Sequence, residues 1–343
     1  MEHLFQSYPK IPENWDNLQL TEQDYRLLKK TEWVVTEKIH GANFCILANE
    51  EETHFAKRKE ILPEEENFFG YHQLRETLTE KAEQIYTEVS QAHPDTVAVA
   101  IYGELFGGAY PHPKVASKTD VQAIQTGVYY SPEIHFWVFD LLRITDTLAY
   151  YVGFDALADY CQKVQLPFVP ALFRGTYQEV QNYPIKFEST IAGLLDLPIL
   201  EDNWAEGVVI KPAEPILLDT NKGWIRPVIK KKIELFSEDN RYHQAQKWAG
   251  EAGASNLLGE VLTAVHQLVN ENRLQAVRSK IGQVDFQDVA QQATIKSALE
   301  ADVWESFWEK LSPSYFKLTP EEQQQVNEAV TLAVEILVKQ HVG

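Results

Sequence analysis

Hydrophobic and polar positions follow different patterns on the two sides of residue 240. Before it, short runs rich in β-branched and aromatic residues are separated by glycine, proline and charged segments, which is typical of strands. The strand candidates are 33–39, 43–47, 97–108, 135–142, 204–212 and 224–232. Apolar residues at helical spacing interrupt them over 63–92 and near 153–165. This irregular alternation predicts an α+β fold built on antiparallel sheet, with 97–108 running into a glycine-rich turn.

The pattern after residue 240 is helical. Apolar residues recur three and four positions apart in stretches rich in Ala, Leu, Glu and Gln. Thr319 followed by Pro320 predicts a helix start, because threonine caps helix N-termini and proline is favoured at the first helical position. The predicted helices are 254–274, 286–311 and 320–341. A chain of 343 residues is long enough for two domains, which we place at 1–240 and, all-helical, at 241–343.

Composition argues against several classes of protein. No window approaches 18 uncharged apolar residues, so no membrane span is expected. The N-terminal residues lack the basic start and the apolar stretch of a secretory signal. Cys45 and Cys161 are too few for a disulfide framework or a cysteine-rich zinc site, and the histidines show no metal-ligand spacing. We therefore expect a cytoplasmic protein, with a monomer as the simplest state.

The chain is strongly acidic, with 31 basic and 50 acidic residues and a formal net charge of −19. The acidity is not confined to a tail, because residues 241–343 hold only 9 basic and 13 acidic residues. Such a charge disfavours a broad, non-specific grip on nucleic acid, which depends on Lys and Arg neutralising phosphates. A local basic groove on an acidic body stays open.

Residues 37–44 hold the first candidate for chemistry. Lys38 lies near the end of a predicted strand and close to Gly41, where a ligand can approach the backbone. Lys38 and His40 share one face of that strand. A lysine ammonium is a poor nucleophile, and desolvation or neighbouring cations free its lone pair. Taken alone, Lys38 is better explained as an exposed lysine at a strand edge, the usual place for this residue type.

Five further segments give this lysine a chemical context. They are Ala56-Lys57-Arg58, 102–107 with Glu104, 136–140 with Phe139, 205–212 with Glu206, and 229–232 with Lys230 and Lys232. Carboxylates can hold a divalent metal or sugar hydroxyls, lysines on one strand face suit a polyphosphate, and an aromatic strand can stack a base. Each segment also has a structural explanation, since charge runs are usually solvated and aromatic strands usually pack in a core. Together they predict a nucleotide site around an amine nucleophile.

The ordered segments EKIHGANF, AKR, YGELFG, FWVFD, EGVVIKP and IKKK resemble motifs I, Ia, III, IIIa, IV and V of the covalent nucleotidyltransferases. This superfamily contains the ATP-dependent ligases and the mRNA capping enzymes. The HGANF that ends the first segment and Phe236-Ser237-Glu238 after the last one resemble the nick-sealing RNA ligase 2 family, which includes the trypanosome RNA-editing ligases. The resemblance implies an antiparallel-sheet, ATP-grasp-like nucleotidyltransferase domain over about residues 1–240, followed by an all-α C-terminal domain.

The resemblance also implies an ATP-dependent RNA ligase and assigns the nucleotide contacts. Lys38 would attack the α-phosphorus of ATP, release pyrophosphate and become lysyl–AMP. Arg58 and Glu104 would hold the ribose and orient the phosphate. Phe139 would stack on adenine, and Glu37 would contact the base edge through its backbone.

The remaining implied roles concern metal, phosphate and RNA. Glu206 would help to place Mg²⁺ or Mn²⁺. Lys230 and Lys232 would bind the α-phosphate and stabilise charge as pyrophosphate leaves. His40 and Asn43 would assist the later steps, with Asn43 also organising metal-bound water. AMP would pass to a 5′-phosphate RNA end, in a nicked duplex or at bridged ends, and a 3′-OH would displace it to seal the strand.

Two other functions stay open at this point. A DNA ligase or a capping guanylyltransferase usually adds a small β-barrel after the last motif, where this chain is helical instead. A non-catalytic nucleic-acid-binding protein with a relic site is disfavoured, because Lys38, Glu104 and Glu206 are all intact. If RNA is the partner, its phosphates need cations around the site. The candidates are Lys57–Lys59, Lys211, Lys222, Arg226 and Lys230–Lys232.

Overall fold

The structure, a computed structural model, describes residues 1–116, 118, 121, 123–125, 127–220, 223–236 and 257–341. The chain divides into two compact units, Met1–Ile233 and Glu234–Gly343. The domain boundary predicted near residue 240 lies outside the described residues, and so do Ser237 and Glu238 of the last motif. Within the described part, no helix combines the length and the apolar character that crossing a bilayer requires.

Antiparallel sheets form the first unit, and the β-rich runs of the sequence supply most of their strands. The strands are β1 (Trp33–Glu37), β2 (Ala42–Ala48), β3 (Thr53–Lys57), β4 (Ala98–Ala109), β5 (Ser131–Ile144), β6 (Ala149–Tyr151), β7 (Ala171–Gly175), β8 (Gly207–Pro212), β9 (Leu218–Thr220), β10 (Gly223–Ile225) and β11 (Ile229–Lys232). One sheet has the order β11-β8-β1-β7 and another β3-β2-β4-β5-β6, while β9 and β10 pair separately. The predicted α+β class with antiparallel sheet is confirmed.

The register of these strands decides which side chains meet. β8 pairs with both β1 and β11, and Lys232 lies opposite Gly207. In the five-stranded sheet, Glu104 on β4 is the partner of both Asn43 on β2 and Trp137 on β5. Paired positions point to the same face of a sheet. The charged motif residues thus lie on strands or directly beside strand ends.

The five-stranded sheet packs on both faces. One face meets α2 (Arg75–Ala92) and α3 (Phe154–Val164) in a core that includes Phe44 and Ile101. The opposite face packs against the N-terminal segment through Tyr8. The N-terminal residues therefore complete the core of this unit. The sequence pattern did not predict this role for them.

The four-stranded sheet has its own apolar core, around Trp33 on β1. Trp15 packs edge-on against Trp33 at a centroid distance of 5.3 Å. Three short helices accompany this unit, α1 (Glu22–Leu28), α4 (Tyr177–Gln181) and α5 (Ile191–Leu194). Leu28 of α1 and Val180 of α4 are buried in the same core.

Three predictions for the first unit are wrong in detail. Residues 107–108 do not form a turn, because β4 continues to Ala109 and Gly107 takes up a shift in register with a φ of 105°. The segment 224–232 is two strands, since Pro227 lies between β10 and β11 and cannot donate a ladder hydrogen bond. Only the later part of 63–92 is α-helical, because Phe69 and Gly70 adopt positive φ ahead of α2.

Helices build the second unit. They are α6 (Leu257–Leu268), α7 (Glu271–Ile281), α8 (Val289–Tyr315) and α9 (Pro320–Lys339), and their apolar stripes share one core. The predicted helix 254–274 is divided, because the side chain of Asn270 caps a new helix by accepting the Arg273 N–H. α9 begins as predicted, with Thr319 as its cap and the Glu322 N–H as the donor.

Candidate active site

Three basic side chains converge on one buried carboxylate, Glu206. The Lys38 ammonium donates to Oε2 at 2.6 Å, and His40 Nδ1 lies 3.2 Å from the same oxygen. The Lys232 ammonium lies 3.3 Å from Oε1. Burial alone would raise the pKa of Glu206, but these three neighbours, led by Lys38, hold it well below its usual range. The carboxylate is therefore ionised and shared by three basic groups.

The backbone explains why these residues meet. Lys38 directly follows β1, and its N–H donates to the Gly207 carbonyl at 2.9 Å. Gly207 is in turn the register partner of Lys232 on β11. A side chain at Gly207 would place its Cβ 1.9 Å from the Lys231 carbonyl oxygen, so only glycine lets β8 close on β11 at this point. The glycine beside Glu206 thereby brings two lysines to its two oxygens.

Gly41 makes a second close approach, between the segment that carries Lys38 and strand β4. A Cβ at this position would lie 2.1 Å from the Leu105 carbonyl oxygen and 2.9 Å from Glu104 Cγ. Gly41 is thus a contact point between two of the motif segments, 37–44 and 102–107. Any larger residue would push His40 away from β4.

Glu104 lies on the five-stranded sheet and shares the electrostatic environment of Lys38. Burial raises the pKa of Glu104 to about 7. The charge of Lys38 opposes this rise, as does that of Arg58 more weakly, while the charge of Glu206 adds to it. The charges of the predicted nucleophile Lys38 and of Arg58 therefore both act on Glu104.

The raised pKa of Glu104 predicts a pH dependence of stability. The folded protein binds this proton more tightly than the unfolded chain, whose ordinary value is 4.5. The resulting stabilisation is complete below that value and is lost as the pH rises through about 7. We expect the free energy of unfolding of the wild type, minus that of Glu104→Gln, to fall across this window. Urea titrations of both proteins measure it, and a difference that rises with pH would contradict the assignment.

Adjacent lysines of β11 face opposite sides of their sheet. Lys230 and Lys232 share one face, and Lys232 lies beside Glu206. Lys231 points the other way and donates to a backbone carbonyl of α4 at 2.7 Å. The Lys230 ammonium lies 3.7 Å from a carboxylate oxygen of Glu13. This alternation places Lys232 beside Glu206 and Lys230 on the same face of the strand, while Lys231 lies on the other face.

The side chain of Glu37 is turned away from Lys38 and enclosed. Its carboxylate accepts the Ser189 hydroxyl at 2.6 Å and both the N–H and the hydroxyl of Thr190, at 2.8 and 2.7 Å. Burial raises the pKa of Glu37, and these hydrogen bonds offset part of the rise. The family resemblance implies that the Glu37 backbone contacts the base. The structure adds that its side chain ties the end of β1 to the start of α5.

Phe139, the residue expected to stack on adenine, lies where the register of β4 with β5 shifts. The ring is partly buried and meets Tyr8 edge-on at a centroid distance of 5.0 Å. Its carbonyl accepts the Lys211 ammonium at 2.5 Å. Tyr8 therefore packs against the ring while Lys211 holds the backbone, and the exposed part of the ring is the surface that a base could use.

Asp140, next to Phe139, is the centre of a buried ion cluster. Arg226 donates to both carboxylate oxygens at 2.5 and 3.0 Å, and Lys211 lies 3.2 Å from Oδ1. The Tyr8 hydroxyl donates at 2.6 Å. Burial would raise the pKa of Asp140, but Arg226 and Lys211 lower it to about 2. The prediction that Lys211 and Arg226 face RNA is wrong, because their side chains are only 5% and 9% exposed and pair with this carboxylate.

The other cations expected to contact RNA are also partly committed. Lys57 forms ion pairs with Glu60 at 2.9 Å and Glu66 at 3.0 Å. Lys59 is exposed. Lys222 lies outside the described residues. Fewer of the candidate cations are therefore available to RNA phosphates than the sequence suggested.

Several residues that hold the site were not found from the sequence. The Tyr130 hydroxyl accepts the His40 N–H at 2.8 Å. Ser189 binds Glu37, as described above, and Tyr8 binds Asp140. Each partner is at least 90 residues away along the chain. No local motif signals contacts over such separations, so only the fold shows them.

A divalent metal fits the oxygen groups of the site as a partly hydrated ion. Among the described residues, no three His, Cys, Asp or Glu side chains are grouped to enclose a metal. Asn43 Oδ1, however, is buried with no hydrogen-bond partner in the described part of the chain, and Glu206 is ionised. Mg²⁺ prefers oxygen ligands, keeps several waters and binds one or two carboxylates together with substrate phosphates. Glu206 and Asn43 suit an ion of that kind.

Two family models match the sequence. The RNA ligase model matches residues 31–232, more than half of the chain, and this range contains all ten predicted site residues. The T4 RNA ligase 2 C-terminal model matches residues 252–335, within the helical part.

Curated relatives and solved structures give further similarities. Mitochondrial RNA-editing ligase 2 of Trypanosoma brucei brucei is 37% identical over 202 residues, which cover 52% of this chain and 48% of that protein. Mitochondrial RNA-editing ligase 1 of the same organism is 32% identical over 239 residues, 62% of this chain and 51% of that protein. The chain thus spans about half the length of these relatives. A mutant of Naegleria gruberi RNA ligase with ATP and Mn has a TM-score of 0.43 at 15% identity, over 67% of this chain and 57% of that one.

Proposed function

We propose that this chain, which belongs to the RNA ligase family and has a C-terminal region of the T4 RNA ligase 2 type, is an ATP-dependent ligase that joins RNA ends. It acts through two adenylylated intermediates, first on Lys38 and then on a 5′-phosphate end. The observation that carries the proposal is the ion pair of Lys38 with Glu206 at 2.6 Å, with two more basic groups on the same carboxylate. The Glu206 carboxylate holds the Lys38 amine in position. The two other basic groups can stay paired with this carboxylate when the amine leaves it to attack.

In the first step the Lys38 amine attacks the α-phosphorus of ATP. A P–N bond forms, and the P–O bond to pyrophosphate breaks. Lys38 must first lose a proton, because an ammonium has no lone pair. The proton leaves to solvent, and the contact with Glu206 must open for the amine to reach the phosphorus. Lys232, which contacts the other oxygen of Glu206, stabilises the negative charge that develops on the phosphate.

The other residues of the site bind the nucleotide. Arg58 and Glu104 hold the ribose beside Lys38, and the exposed part of the Phe139 ring stacks on adenine. Glu37 presents its backbone to the base edge while Ser189 and Thr190 fix its side chain. A divalent metal near Glu206 and Asn43 would supply positive charge to the phosphates.

The later steps pass AMP to RNA. A 5′-phosphate oxygen displaces Lys38 from AMP, so the P–N bond breaks and a P–O–P linkage forms. A 3′-OH then attacks the 5′-phosphate, AMP leaves, and the strand is sealed. We assign His40 and Asn43 to these steps and Lys230 to phosphate binding. The described site residues all lie in the first unit, so we assign polynucleotide engagement to the helical unit.

RNA binding by this protein should depend on the reacting ends. The net charge is −19, and Lys211 and Arg226 are committed to Asp140. Few cations are then left to neutralise phosphates along a duplex, and salt screens the exposed charges on which such weak binding depends. We therefore expect binding that is weak and strongly salt-dependent away from the nick.

Sealing of nicked duplexes tests the proposal. Three nicks are compared under the same conditions: all RNA, an RNA 3′-OH strand on otherwise DNA, and all DNA. We expect the two nicks whose 3′ strand is RNA to be sealed at least about tenfold faster than the DNA nick. The reason is that a site which hydrogen-bonds the 2′-OH of the terminal ribose rejects a deoxyribose that lacks it. Lys38→Ala, which lacks the proposed nucleophile, is the negative control for ATP-dependent sealing. Equal sealing of the DNA nick would favour a DNA ligase instead.

A further inference from the structure

A row of three side chains crosses the five-stranded sheet at the level of the nucleophile. Glu104 on β4 is the register partner of Asn43 on β2 and of Trp137 on β5. Paired residues of antiparallel strands point to the same face, with Cβ atoms about 4.5–5.5 Å apart. The charge of Lys38 acts on Glu104, so the row lies within the electrostatic reach of the amine.

Two members of the row carry polar atoms that the described residues leave unpaired. Asn43 Oδ1 and Trp137 Nε1 are both buried and have no hydrogen-bond partner in the described ranges. Trp137 is only 5% exposed. An unpaired buried donor or acceptor is costly and is uncommon in native proteins. The Trp137 N–H and the Asn43 Oδ1, on the two sides of Glu104, are therefore expected to bind groups from outside the described residues.

The Trp137 ring is held in place by aromatic packing. It meets Phe106 edge-on at a centroid distance of 5.7 Å, and Phe106 meets Tyr130 at 5.2 Å. The Tyr130 hydroxyl accepts the His40 N–H. Two aromatic contacts and one hydrogen bond thus join the indole to the loop that carries Lys38. The position of the N–H is fixed without any hydrogen bond of its own among the described residues.

We propose that the Trp137 N–H donates a hydrogen bond to a ribose hydroxyl of the bound nucleotide, beside Glu104, and that this contact selects ribose over deoxyribose. The inference rests on the proposed function. Each hydroxyl of a vicinal diol both donates and accepts a hydrogen bond. The row offers a donor at Trp137 and, beside it, the carboxyl of Glu104, which matches that chemistry while Asn43 is left to the metal.

The same diol occurs in two substrates, ATP and the 3′ end of an RNA strand. The field of Lys38 on Glu104 favours the nucleotide, because Lys38 must lie at the α-phosphate of the same molecule. We therefore place the ribose of ATP on the row. Trp137 is then a nucleotide-binding residue that the motif resemblance does not assign. Its indole N–H is the group that contacts the ribose.

Self-adenylylation of the full chain tests this assignment. The second-order rate constant is measured with ATP, 2′-deoxyATP and 3′-deoxyATP for the wild type, Trp137→Phe and Trp15→Phe. Phenylalanine at 137 keeps an aromatic ring and deletes the N–H. Trp15→Phe is the matched control, since Trp15 Nε1 is also buried without a described partner but packs against Trp33 in the other sheet.

We expect Trp137→Phe to lose between about twofold and tenfold with ATP, the value of one neutral hydrogen bond. With one of the two deoxy nucleotides it should lose nothing, so the preference of the wild type for ATP over that analogue shrinks by the same factor. Trp15→Phe should keep the wild-type preference. An equal loss with all three nucleotides, or no loss at all, would overturn the inference. Wild-type protein that is never adenylylated would instead refute the proposed function.

A second arm separates the two sources of the diol. Nicks with pre-adenylylated 5′ ends, and 3′ strands ending in ribose or 2′-deoxyribose, are sealed by the wild type and by Trp137→Phe. We expect the two proteins to show the same ratio between the two ends. A loss confined to ribose-ended strands, with the ATP step unchanged, would place the RNA end on the row and overturn the assignment to ATP.

Discussion

Lys38→Ala is expected to abolish the transfer of label from α-labelled ATP to the protein. The loss should be at least about four orders of magnitude, because without the amine no P–N bond can form and no other group replaces a covalent nucleophile at comparable rate. His40 and Lys232, the other two basic residues that contact Glu206, stay in place in this variant. Label that stays on the protein after denaturation in detergent at neutral pH measures only the covalent product of the first step, because the P–N bond is kept under those conditions.

The matched control for this prediction is Lys231→Ala. Lys231 is close to the site in sequence, but its ammonium donates to a carbonyl on the far side of the sheet. It should therefore label at nearly the wild-type rate. Persistent labelling of Lys38→Ala, or equal loss in both variants, would show that the nucleophile is elsewhere or that the fold was damaged.

Asp140→Asn is expected to have the largest effect on stability. The amide keeps the shape of the side chain but removes the charge that balances Arg226 and Lys211, both nearly buried. Breaking a buried ion pair from one side typically costs about 3–5 kcal/mol, since the partner charge stays buried and unpaired. Chemical denaturation measures the loss. Asp155→Asn, whose partner Arg174 is partly exposed, should cost less than about 1 kcal/mol.

The pH dependence of the same cluster gives an independent check. The folded-state pKa of Asp140 is lowered to about 2 from an ordinary 3.8. Its contribution to stability is therefore complete above the ordinary value and is lost as the pH falls toward 2. The difference in unfolding free energy between wild type and Asp140→Asn should shrink over that acid range. A difference that grows on acidification would contradict the cluster.

The fold class was predictable because its elements carry local signals. The β-rich runs of the first 240 residues and the apolar spacing of the last hundred gave the class and the order of most elements. Details failed where one residue overrides a pattern. Asn270 starts a new helix inside a continuous apolar stripe, and Pro227 separates two strands that read as one run. Gly107 permits β4 to continue through an apparent turn.

The candidate site was predictable only as separate pieces. Lys38, Glu104 and Glu206 stand out because each lies at a strand and glycine pattern with a chemical meaning. Their mutual contacts depend on strand register, which the sequence does not reveal. The same limit explains the error on Lys211 and Arg226, whose basic character suggested RNA before the fold showed Asp140 between them.

One measurement tests the central claim most directly. The intact wild-type chain is incubated with Mg²⁺ and either ATP or GTP, and its mass is recorded before and after treatment with acid and with pyrophosphate. The account predicts a gain of one adenylyl group from ATP, none from GTP, loss of the adduct in acid as expected of a P–N bond, and its reversal by pyrophosphate. A chain that never gains a mononucleotide, or that gains it equally from GTP, would contradict the account.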